Sequence, residues 1–307
     1  MRSVSAVAFS SSANLGPGYD ILALAHTSFF DRVSVREGSR TRLFCTGIPQ
    51  EIESNTAGRA VTAMLRALDV RAELEIHIEK GIPYGLGLGS SGASAVGAVT
   101  AASELLGLSL SGEEIVRFAM QGEVASSGAA HPDNVAAATF GGAVAVLSDG
   151  PVVRRIPVHS AFRFLLIVPG QQREGKTRLA RSLVPRAIET GKYVRNSRRL
   201  ASLILGLSSG DRELLREGMN DEIVEPSRSP LFPFYWRIKE EALALNAAGV
   251  CVSGAGPSIL VIFDERTDVS GIERRATSIL ESFGMSTRTV RAVSAGGAAI
   301  EEPGIVS

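Results

Sequence analysis

A glycine-rich segment, PYGLGLGSSGAS at residues 83–94, restricts what this chain can fold into. Gly85, Gly87 and Gly89 permit backbone conformations with positive φ, which other residues rarely adopt. The segment runs directly into small residues that predict a helix from about residue 92 to residue 106. A loop of this kind leaves unpaired N–H groups at the positive end of the helix dipole, which is where an anion binds.

Two interpretations of this segment stay open at the level of the sequence. In the first, the loop binds a polyphosphate, and Ser90 and Ser91 supply hydroxyls for phosphate oxygens or Mg²⁺. In the second, it is only a glycine-rich helix entry that packs closely against a sheet. A single glycine-rich loop does not distinguish them.

A rival phosphate-binding motif lies in the second half of the chain. The residues GQQREGKT at 170–177 match the Walker A pattern of nucleotide-triphosphate enzymes, and an apolar run at 164–168 precedes them. Downstream, the apolar run 259–263 leads into Asp264 and Glu265, which resembles a Walker B strand.

The surrounding pattern argues against a Walker site. A true P-loop needs a parallel sheet built from βαβ units, whereas several predicted helices follow Thr177 before a convincing strand appears near Val250. We therefore expect Lys176→Ala to leave the affinity for ATP nearly unchanged. A large loss of nucleotide binding would restore the Walker interpretation.

Charge and cysteine content narrow the function classes. The 307 residues carry 32 Lys and Arg against 32 Asp and Glu, so the net charge of zero gives no footprint for a nucleic acid or membrane-surface partner. Two cysteines cannot form a disulfide framework, and no Cys/His cluster indicates a structural metal. No apolar run approaches the length of a membrane span, so we expect a cytoplasmic protein with a small-molecule substrate.

Hydrophobic periodicity predicts alternating strands and helices throughout. Capping signals mark helix starts after Asn55 and at Ser111 with Glu114, and Asp149–Gly150 between apolar runs predicts a hairpin. The expected strands are 3–10, 29–36, 73–79, 142–147, 152–158, 162–168, pieces near 250 and 259, and 287–293. The division between two halves is expected near residues 157–162.

Three segments together resemble the GHMP kinases, a superfamily named for galactokinase, homoserine kinase, mevalonate kinase and phosphomevalonate kinase. They are SSANLGPGYD at 11–20, PYGLGLGSSGAS at 83–94 and VSGAGPSIL at 252–260. Within the superfamily the resemblance is closest to the homoserine kinases and spans nearly the whole chain, through HPDNVAAATFGG at 131–142 and DEIVEPSRSPLFP at 221–233. Gly92, Pro132 and the run QQREGKT depart from that pattern.

The resemblance implies an α+β GHMP kinase fold of two domains. An N-terminal α/β domain at 1–160 would contain a left-handed βαβ crossover, and a ferredoxin-like C-terminal domain would occupy 161–307. ATP would lie in the cleft between them, and the protein would be a homodimer. Ordinary handedness rules predict the opposite crossover.

The same resemblance implies the nucleotide and metal sites. The glycine-rich loop would wrap the ATP triphosphate, and Ser91 and Glu123 would coordinate Mg²⁺ as hard oxygen ligands. Asn55 is a candidate contact of the nucleotide, although a plain helix N-cap explains it nearly as well. The implied ATP-binding residues are Pro83, Gly85, Leu86, Gly87, Leu88, Gly89, Ser90, Ser91, Gly92, Ala93 and Asn55.

The acceptor implied is L-homoserine, a zwitterion that carries the reacting hydroxyl. Its ammonium group needs a carboxylate, provided by Asp20, and its carboxylate needs guanidinium groups, provided by Arg181 and Arg228. The implied substrate-binding residues are Asn14, Asp20, His131, Asn134, Thr177, Arg181 and Arg228. A kinase for another small alcohol, such as mevalonate or shikimate, is the alternative.

Phosphoryl transfer mainly requires an in-line hydroxyl and neutralised charge, so a strong base is optional. The expected catalytic residues are Asn134, which would orient the hydroxyl, Asp133, which would hold the loop, and Glu123 at the metal. Direct base catalysis by Asp133 is the second possibility. A non-catalytic binding protein is disfavoured because Ser91, Glu123 and all three loops are intact.

Overall fold

The computed structural model of the chain describes residues 2–127, 132–170 and 176–301, without the side chains of residues 124–127, 176 and 177. Within these residues helices pack against two β-sheets, the α+β arrangement that the sequence predicts. In the described part of the chain, no helix combines the length and the apolar character needed to cross a bilayer.

The secondary structure alternates along the chain as expected. The strands are β1 (Ser3–Ala13), β2 (Leu22–Glu37), β3 (Arg42–Phe44), β4 (Leu74–Glu79), β5 (Ala143–Val146), β6 (Val153–Ile156), β7 (Arg163–Pro169), β8 (Gly249–Val252), β9 (Ile259–Phe263), β10 (Thr287–Ala292) and β11 (Ala299–Ile300). The helices are α1 (Thr56–Ala67), α2 (Ser90–Leu105), α3 (Gly112–Ser127), α4 (Pro132–Phe140), α5 (Lys176–Ser182), α6 (Thr190–Ser209), α7 (Arg212–Gly218), α8 (Val224–Arg228), α9 (Tyr235–Ala244) and α10 (Val269–Ser282).

The first sheet has the strand order β11-β1-β2-β4-β3, and the β5–β6 hairpin joins it at β2. The long strand β2 pairs with β5 near its start and with β4 near its end, both antiparallel. The hairpin predicted at Asp149–Gly150 is confirmed, because β5 and β6 pair antiparallel on either side of it.

Strands β1 and β2 are longer than the sequence predicts. The expected strand ended at Ser10, with Ser11 and Ser12 in a connection that continues to Phe29, yet β1 continues to Ala13 and β2 begins at Leu22. These serines are fully buried, and the hydroxyls of Ser10 and Ser12 hydrogen-bond to the ring of the buried His26 on the paired strand. Polar residues thus occupy sheet positions because their partners lie across the strand pair.

Helix α2 packs across β1 and β2 at the centre of the first half. Its small residues permit a close approach, and a Cβ added at Gly97 would lie 3.1 Å from the Val33 side chain. Helices α1, α3 and α4 surround it. Both expected helix starts are observed: Asn55 accepts hydrogen bonds from the first N–H groups of α1, and Ser111 and Glu114 cap each other at α3.

The second sheet has the order β10-β7-β9-β8 with every neighbouring pair antiparallel. The chain enters at β7, crosses through helices to β8 and β9, and returns through α10 to β10, which is the ferredoxin-like arrangement expected. Because β7 has antiparallel neighbours on both sides, it cannot be the central strand of a P-loop. Asp264, the Walker B candidate, instead forms a buried ion pair with Arg212.

The last strand returns to the first sheet. Ala299–Ile300 of β11 pairs with β1, and Glu301 forms an ion pair with Arg32 of β2. The division of the chain near residue 160 stays a prediction, and these contacts show that the C-terminal segment also contributes to the first sheet.

Candidate active site

The glycine-rich segment forms a loop between β4 and α2. Gly85, Gly87 and Gly89 have φ values of 72°, 77° and 68°, so three alternate residues adopt the left-handed conformation that glycine favours. Gly89, the residue before α2, has no side chain that could cap the first N–H groups of that helix. A helix start whose N–H groups are not capped by the preceding residue is suited to bind an anion.

The loop packs against the segment 253–258 behind it. A Cβ at Gly87 would lie 2.3 Å from the Ser253 carbonyl oxygen, so only glycine fits at this position. The Ser253 hydroxyl donates to the Gly87 carbonyl at 2.7 Å, and the Ser258 N–H donates to the Leu86 carbonyl at 3.3 Å. Buried side chains of Leu86 and Leu88 hold the loop to the core, so the loop's backbone has a fixed shape.

The segment 11–20 contacts the other side of the loop. The Ser11 N–H donates to the Leu88 carbonyl at 3.1 Å, and the Ser11 hydroxyl donates to Oδ1 of Asn134 at 2.9 Å. A Cβ at Gly89 would lie 2.2 Å from Oγ of Ser11 and 3.0 Å from Oδ1 of Asn134. The candidate hydroxyl-orienting amide therefore lies beside the start of α2.

Ser91 and Glu123 come together as the resemblance implies. The Ser91 hydroxyl hydrogen-bonds to the buried Glu123 carboxylate. Burial raises the pKa of Glu123 to about 7, while the Ser91 hydrogen bond lowers it and the charge of Asp133 raises it. Elsewhere in the described residues no group of three or more His, Cys, Asp or Glu side chains could hold a metal ion. A hydroxyl and a carboxylate fit Mg²⁺ if phosphate oxygens and water complete the shell.

A buried ion pair lies beneath the loop. Lys80, the last residue before the loop, pairs with the fully buried Asp31 and donates to the Ser90 carbonyl at 2.9 Å and the Ser94 hydroxyl at 2.8 Å. Asp31 also accepts from the N–H groups of residues 81 and 82. Burial lowers the pKa of Lys80, and Asp31 opposes that effect. The pair fixes the entry of the loop against the first turn of α2.

Opposite charges meet at the turn that carries Tyr19 and Asp20. Nη2 of Arg181 lies 2.7 and 2.8 Å from the two carboxylate oxygens of Asp20. The guanidinium carbons of Arg181 and Arg228 lie 5.5 and 5.1 Å from the centre of the Tyr19 ring. Arg228 is buried and donates to the Ala180 carbonyl at 2.9 Å, and burial lowers its pKa. One carboxylate and two guanidinium groups thus surround one aromatic ring.

Asn14 shapes the turn that presents Asp20. Three residues of this turn that are not glycine, Asn14, Leu15 and Asp20, have φ values of 73°, 49° and 57°. The Asn14 amide donates to the Gly254 carbonyl at 3.0 Å and accepts the Asp20 N–H at 3.2 Å. Backbone strain of this kind persists only where the surroundings enforce it, which is typical of ligand sites.

Asp133 and Asn134 lie in the first turn of α4. Asp133 is buried, and burial together with the charge of Asp20 raises its pKa to about 7. Its Oδ1 accepts the Asn134 N–H at 2.7 Å. Asp133 therefore already acts as a cap of its own helix, while Asn134 lies between Ser11 and the start of α2.

The structure brings most of the predicted site residues together. Asn134 lies beside Gly89 of the loop, Ser91 hydrogen-bonds to Glu123, and Asp20 pairs with Arg181, with both of these charges acting on Asp133. Asn55 caps α1 through its Oδ1 and donates to the Pro49 carbonyl at 2.7 Å, so its side chain already has structural partners. His131 lies outside the described residues, and the side chain of Thr177 does too.

Several residues of the site were missed from the sequence: Tyr19, His26, Asp31, Lys80 and Ser253. For Lys80 a signal existed, since it is one of four lysines in the chain and lies three residues before the glycine-rich segment. No sequence signal marked His26 or Asp31, because each resembles an ordinary polar residue of a half-buried strand until its partners are known.

Family models match both halves of the chain. The model described as GHMP kinases N terminal domain matches residues 55–142, and GHMP kinases C terminal matches residues 203–281.

Curated and solved relatives match nearly the full length. The homoserine kinase of Sulfolobus acidocaldarius is 52% identical over 299 residues, covering 96% of this chain and 98% of that protein. The homoserine kinase of Sulfurisphaera tokodaii is 49% identical with the same coverage. The crystal structure of homoserine kinase from Cytophaga hutchinsonii superimposes with a TM-score of 0.89 at 30% identity, covering 98% of each chain.

Proposed function

This chain belongs to the GHMP kinases and, within them, to the homoserine kinases, and from that premise we propose that it transfers the terminal phosphoryl group of ATP to the side-chain hydroxyl of L-homoserine. The product is O-phospho-L-homoserine, and the reaction belongs to threonine biosynthesis. The residue roles, the metal ion and the assembly described below are part of the proposal.

One observation carries the choice of acceptor. Asp20 and Arg181 pair with each other, Arg181 and Arg228 both lie over the Tyr19 ring, and the charges of Asp20 and Arg181 act on Asp133. An α-amino acid carries the same two charges, so its ammonium group can replace Arg181 at Asp20 while its carboxylate binds the released guanidinium. Each charge of the site keeps an opposite partner after this exchange, which limits the desolvation cost of binding.

On the nucleotide side, the chain supplies a positive helix start and a preshaped loop. The N–H groups of residues 90–92 and the α2 dipole stabilise negative charge on the phosphates. Ser91 and Glu123 would hold Mg²⁺, which when bound neutralises charge on the phosphate oxygens. Lys80 fixes the loop through Asp31 and the Ser90 carbonyl rather than through the ligand.

At the reacting hydroxyl, Asn134 is the orienting group. Its Oδ1 accepts from Ser11 at 2.9 Å, and its Nδ2, which lies 3.5 Å from Oδ1 of Asp133, would donate to the acceptor hydroxyl oxygen. Asp133 holds Asn134 through the backbone N–H. Both residues therefore position the hydroxyl, and the transfer proceeds mainly through alignment and charge neutralisation.

A substrate panel tests the function. ADP release is measured with L-homoserine, with 4-hydroxybutanoate, which lacks the ammonium group, and with 3-aminopropan-1-ol, which lacks the carboxylate. Loss of either charged contact should reduce kcat/KM by about tenfold to a hundredfold, because a charge-assisted hydrogen bond contributes about 1.5–3 kcal/mol. Preference for mevalonate or shikimate over L-homoserine would overturn the proposal.

Three further expectations remain part of the proposal: a homodimer, a cytoplasmic location and a domain division near residue 160. Sedimentation equilibrium of the full chain tests the first directly. A monomer at micromolar concentration with full activity would contradict it.

A further inference from the structure

Tyr19 lies among the charges of the proposed acceptor site. The side chain is half-buried, and the guanidinium carbons of Arg181 and Arg228 lie 5.5 and 5.1 Å from the centre of its ring. Burial raises the pKa of the Tyr19 hydroxyl, the charges of Asp20 and Asp133 raise it further, and the two guanidinium groups lower it. The side chain therefore stays neutral near pH 7 and lies within electrostatic reach of two carboxylates and two guanidinium groups.

The two guanidinium groups at the ring are held in different ways. Arg228 is 5% exposed, its Nε donates to the Ala180 carbonyl at 2.9 Å, and its Nη1 lies 3.4 Å from the Gly254 carbonyl oxygen. The side chain of Arg181 is 30% exposed and donates to both carboxylate oxygens of Asp20. Backbone carbonyls thus fix Arg228, whereas Arg181 is paired with the carboxylate that the substrate ammonium group would occupy.

The like charges of these two side chains oppose their convergence. Burial lowers the pKa of Arg228, and the charge of Arg181 lowers it further, while the charge of Asp20 raises it. The two guanidinium groups therefore repel each other, and Asp20 offsets part of that repulsion in the free protein. When the ammonium group of an amino acid binds Asp20, Arg181 loses this partner, yet the substrate carboxylate must find both guanidinium groups in place.

An aromatic ring can hold both cations without competing for the substrate. The face of the ring attracts a guanidinium group through its quadrupole, and this attraction is present whether or not Asp20 is occupied. Because the ring has no net charge, it stabilises the two cations without adding an anion that would repel the substrate carboxylate. Side chains that are already held in their binding geometry lose less conformational entropy when the ligand arrives.

We propose that Tyr19 is a positioning residue for the acceptor, whose ring keeps Arg181 and Arg228 converged on the substrate carboxylate after the substrate ammonium group has displaced Arg181 from Asp20. This inference rests on the proposed kinase function. It predicts that the contribution of Tyr19 depends on its aromatic ring and on the carboxylate of the acceptor, and that the tyrosine hydroxyl and the nucleotide are not involved.

Two substitutions separate the ring from its hydroxyl. Tyr19→Phe keeps the ring, whereas Tyr19→Leu replaces it by an aliphatic side chain that has no quadrupole to attract a cation. ADP release gives kcat/KM for L-homoserine and for 3-aminopropan-1-ol, which lacks the carboxylate. We expect Tyr19→Leu to lower kcat/KM for L-homoserine about tenfold, equal to about 1.4 kcal/mol, which lies within the range of cation–π attraction to two guanidinium groups. Tyr19→Phe should stay within about threefold of the wild type.

The acceptor without a carboxylate provides the readout that a purely structural role would not give. With 3-aminopropan-1-ol, kcat/KM of Tyr19→Leu should stay within about twofold of the wild type, and so should KM for ATP, because neither ligand uses the two guanidinium groups. Tyr193→Leu is the matched control, since it makes the same exchange at a tyrosine of α6 that is 61% exposed, and it should leave every value unchanged. If Tyr19→Leu does not fold, Tyr19→Met takes its place with the same expected result, because methionine is also not aromatic and adapts to irregular space.

The outcomes separate this inference from the proposed function. Wild-type protein that phosphorylates L-homoserine, together with a Tyr19→Leu variant whose kcat/KM is unchanged or falls equally for both acceptors, would overturn the role of Tyr19 alone. A loss in Tyr19→Phe as large as that in Tyr19→Leu would assign the effect to the hydroxyl and contradict the role of the ring. Wild-type protein that phosphorylates neither acceptor would overturn the kinase assignment itself.

Discussion

At the scale of single residues, the acceptor site is balanced by its own charges. Asp20 and Arg181 are each about one third exposed, so their mutual attraction is partly screened and contributes little to stability. The value of the pair lies in recognition, because each partner is held where an amino acid presents the opposite charge.

Replacing Asp20 by Asn should affect the acceptor far more than the nucleotide. We expect KM for L-homoserine to rise about tenfold to a hundredfold, since a charge-assisted hydrogen bond contributes about 1.5–3 kcal/mol. KM for ATP should stay nearly constant. Steady-state kinetics with each substrate varied in turn provides the measurement.

Glu273→Gln is the matched control for Asp20, because Glu273 pairs with Arg291 at the surface of the second sheet. It removes a carboxylate from an Arg pair without touching the site, and both KM values should remain those of the wild type. Equal effects of the two substitutions would contradict acceptor recognition by Asp20.

Asp133→Asn tests whether the reaction needs a base. Asparagine keeps an oxygen that can accept the Asn134 N–H, so the positioning mechanism predicts a loss in kcat of about tenfold or less. Direct base catalysis predicts a loss of about a hundredfold to ten-thousandfold. Single-turnover measurements at saturating ATP and L-homoserine distinguish the two, and abolished turnover with normal binding of both would rule out positioning alone.

At the scale of elements, the loop between β4 and α2 depends on contacts from distant parts of the chain. Ser253 and Ser258 hold it from one side and Ser11 from the other. A loop fixed in this way can present its N–H groups without reorganising when the anion arrives, which is what electrostatic preorganisation requires.

Gly87→Ala should abolish most nucleotide binding. The substitution forces alanine to φ of 77° and places its Cβ 2.3 Å from the Ser253 carbonyl, so the loop must move away from its support. Gly107→Ala imposes nearly the same conformation, φ of 69°, with no atom within 4 Å of the added Cβ. Calorimetry with an ATP analogue should show a large loss for Gly87→Ala and wild-type affinity for Gly107→Ala. Comparable losses would mean that conformation alone, rather than the contact with Ser253, decides binding.

At the scale of the whole molecule, buried ionisable groups make the free energy of unfolding depend on pH in two opposite directions. The folded-state pKa of His26 is lowered from 6.5 to about 3, so the unfolded chain binds more protons and stability falls as the pH drops below 6.5. Glu123 and Asp133 have pKa values raised to about 7. Their contribution has the opposite sign, and stability is lost as the pH rises toward 7.

Comparing the wild type with His26→Gln isolates the contribution of His26 to the pH dependence of stability. Between pH 7 and pH 5 the wild type should lose about 2 kcal/mol more of its unfolding free energy than the variant, from 1.36 kcal/mol per pKa unit below 6.5. Urea denaturation at both pH values measures the difference. Parallel pH dependences of the two proteins would show that His26 is not a buried neutral group.

The sequence predicted the order of the elements, because hydrophobic periodicity and capping residues act locally. The helix starts at Asn55 and Ser111 and the hairpin at Asp149–Gly150 were all confirmed. It failed at residues 11 and 12, whose serines were expected in a loop, because the partners that allow them to be buried lie in other segments of the chain.

By itself, the sequence predicted which glycine-rich segment forms a loop at a helix start and which Walker-like run lacks the parallel strands of a P-loop. The three glycines of the loop and the antiparallel surroundings of the Walker-like run were both encoded in local pattern. The tertiary structure alone decided how Ser253 meets Gly87 and how Asp20 meets Arg181, since these contacts join residues 166 and 161 positions apart in the chain. Local sequence does not predict such pairs, because their interaction energy arises only when both partners are buried together.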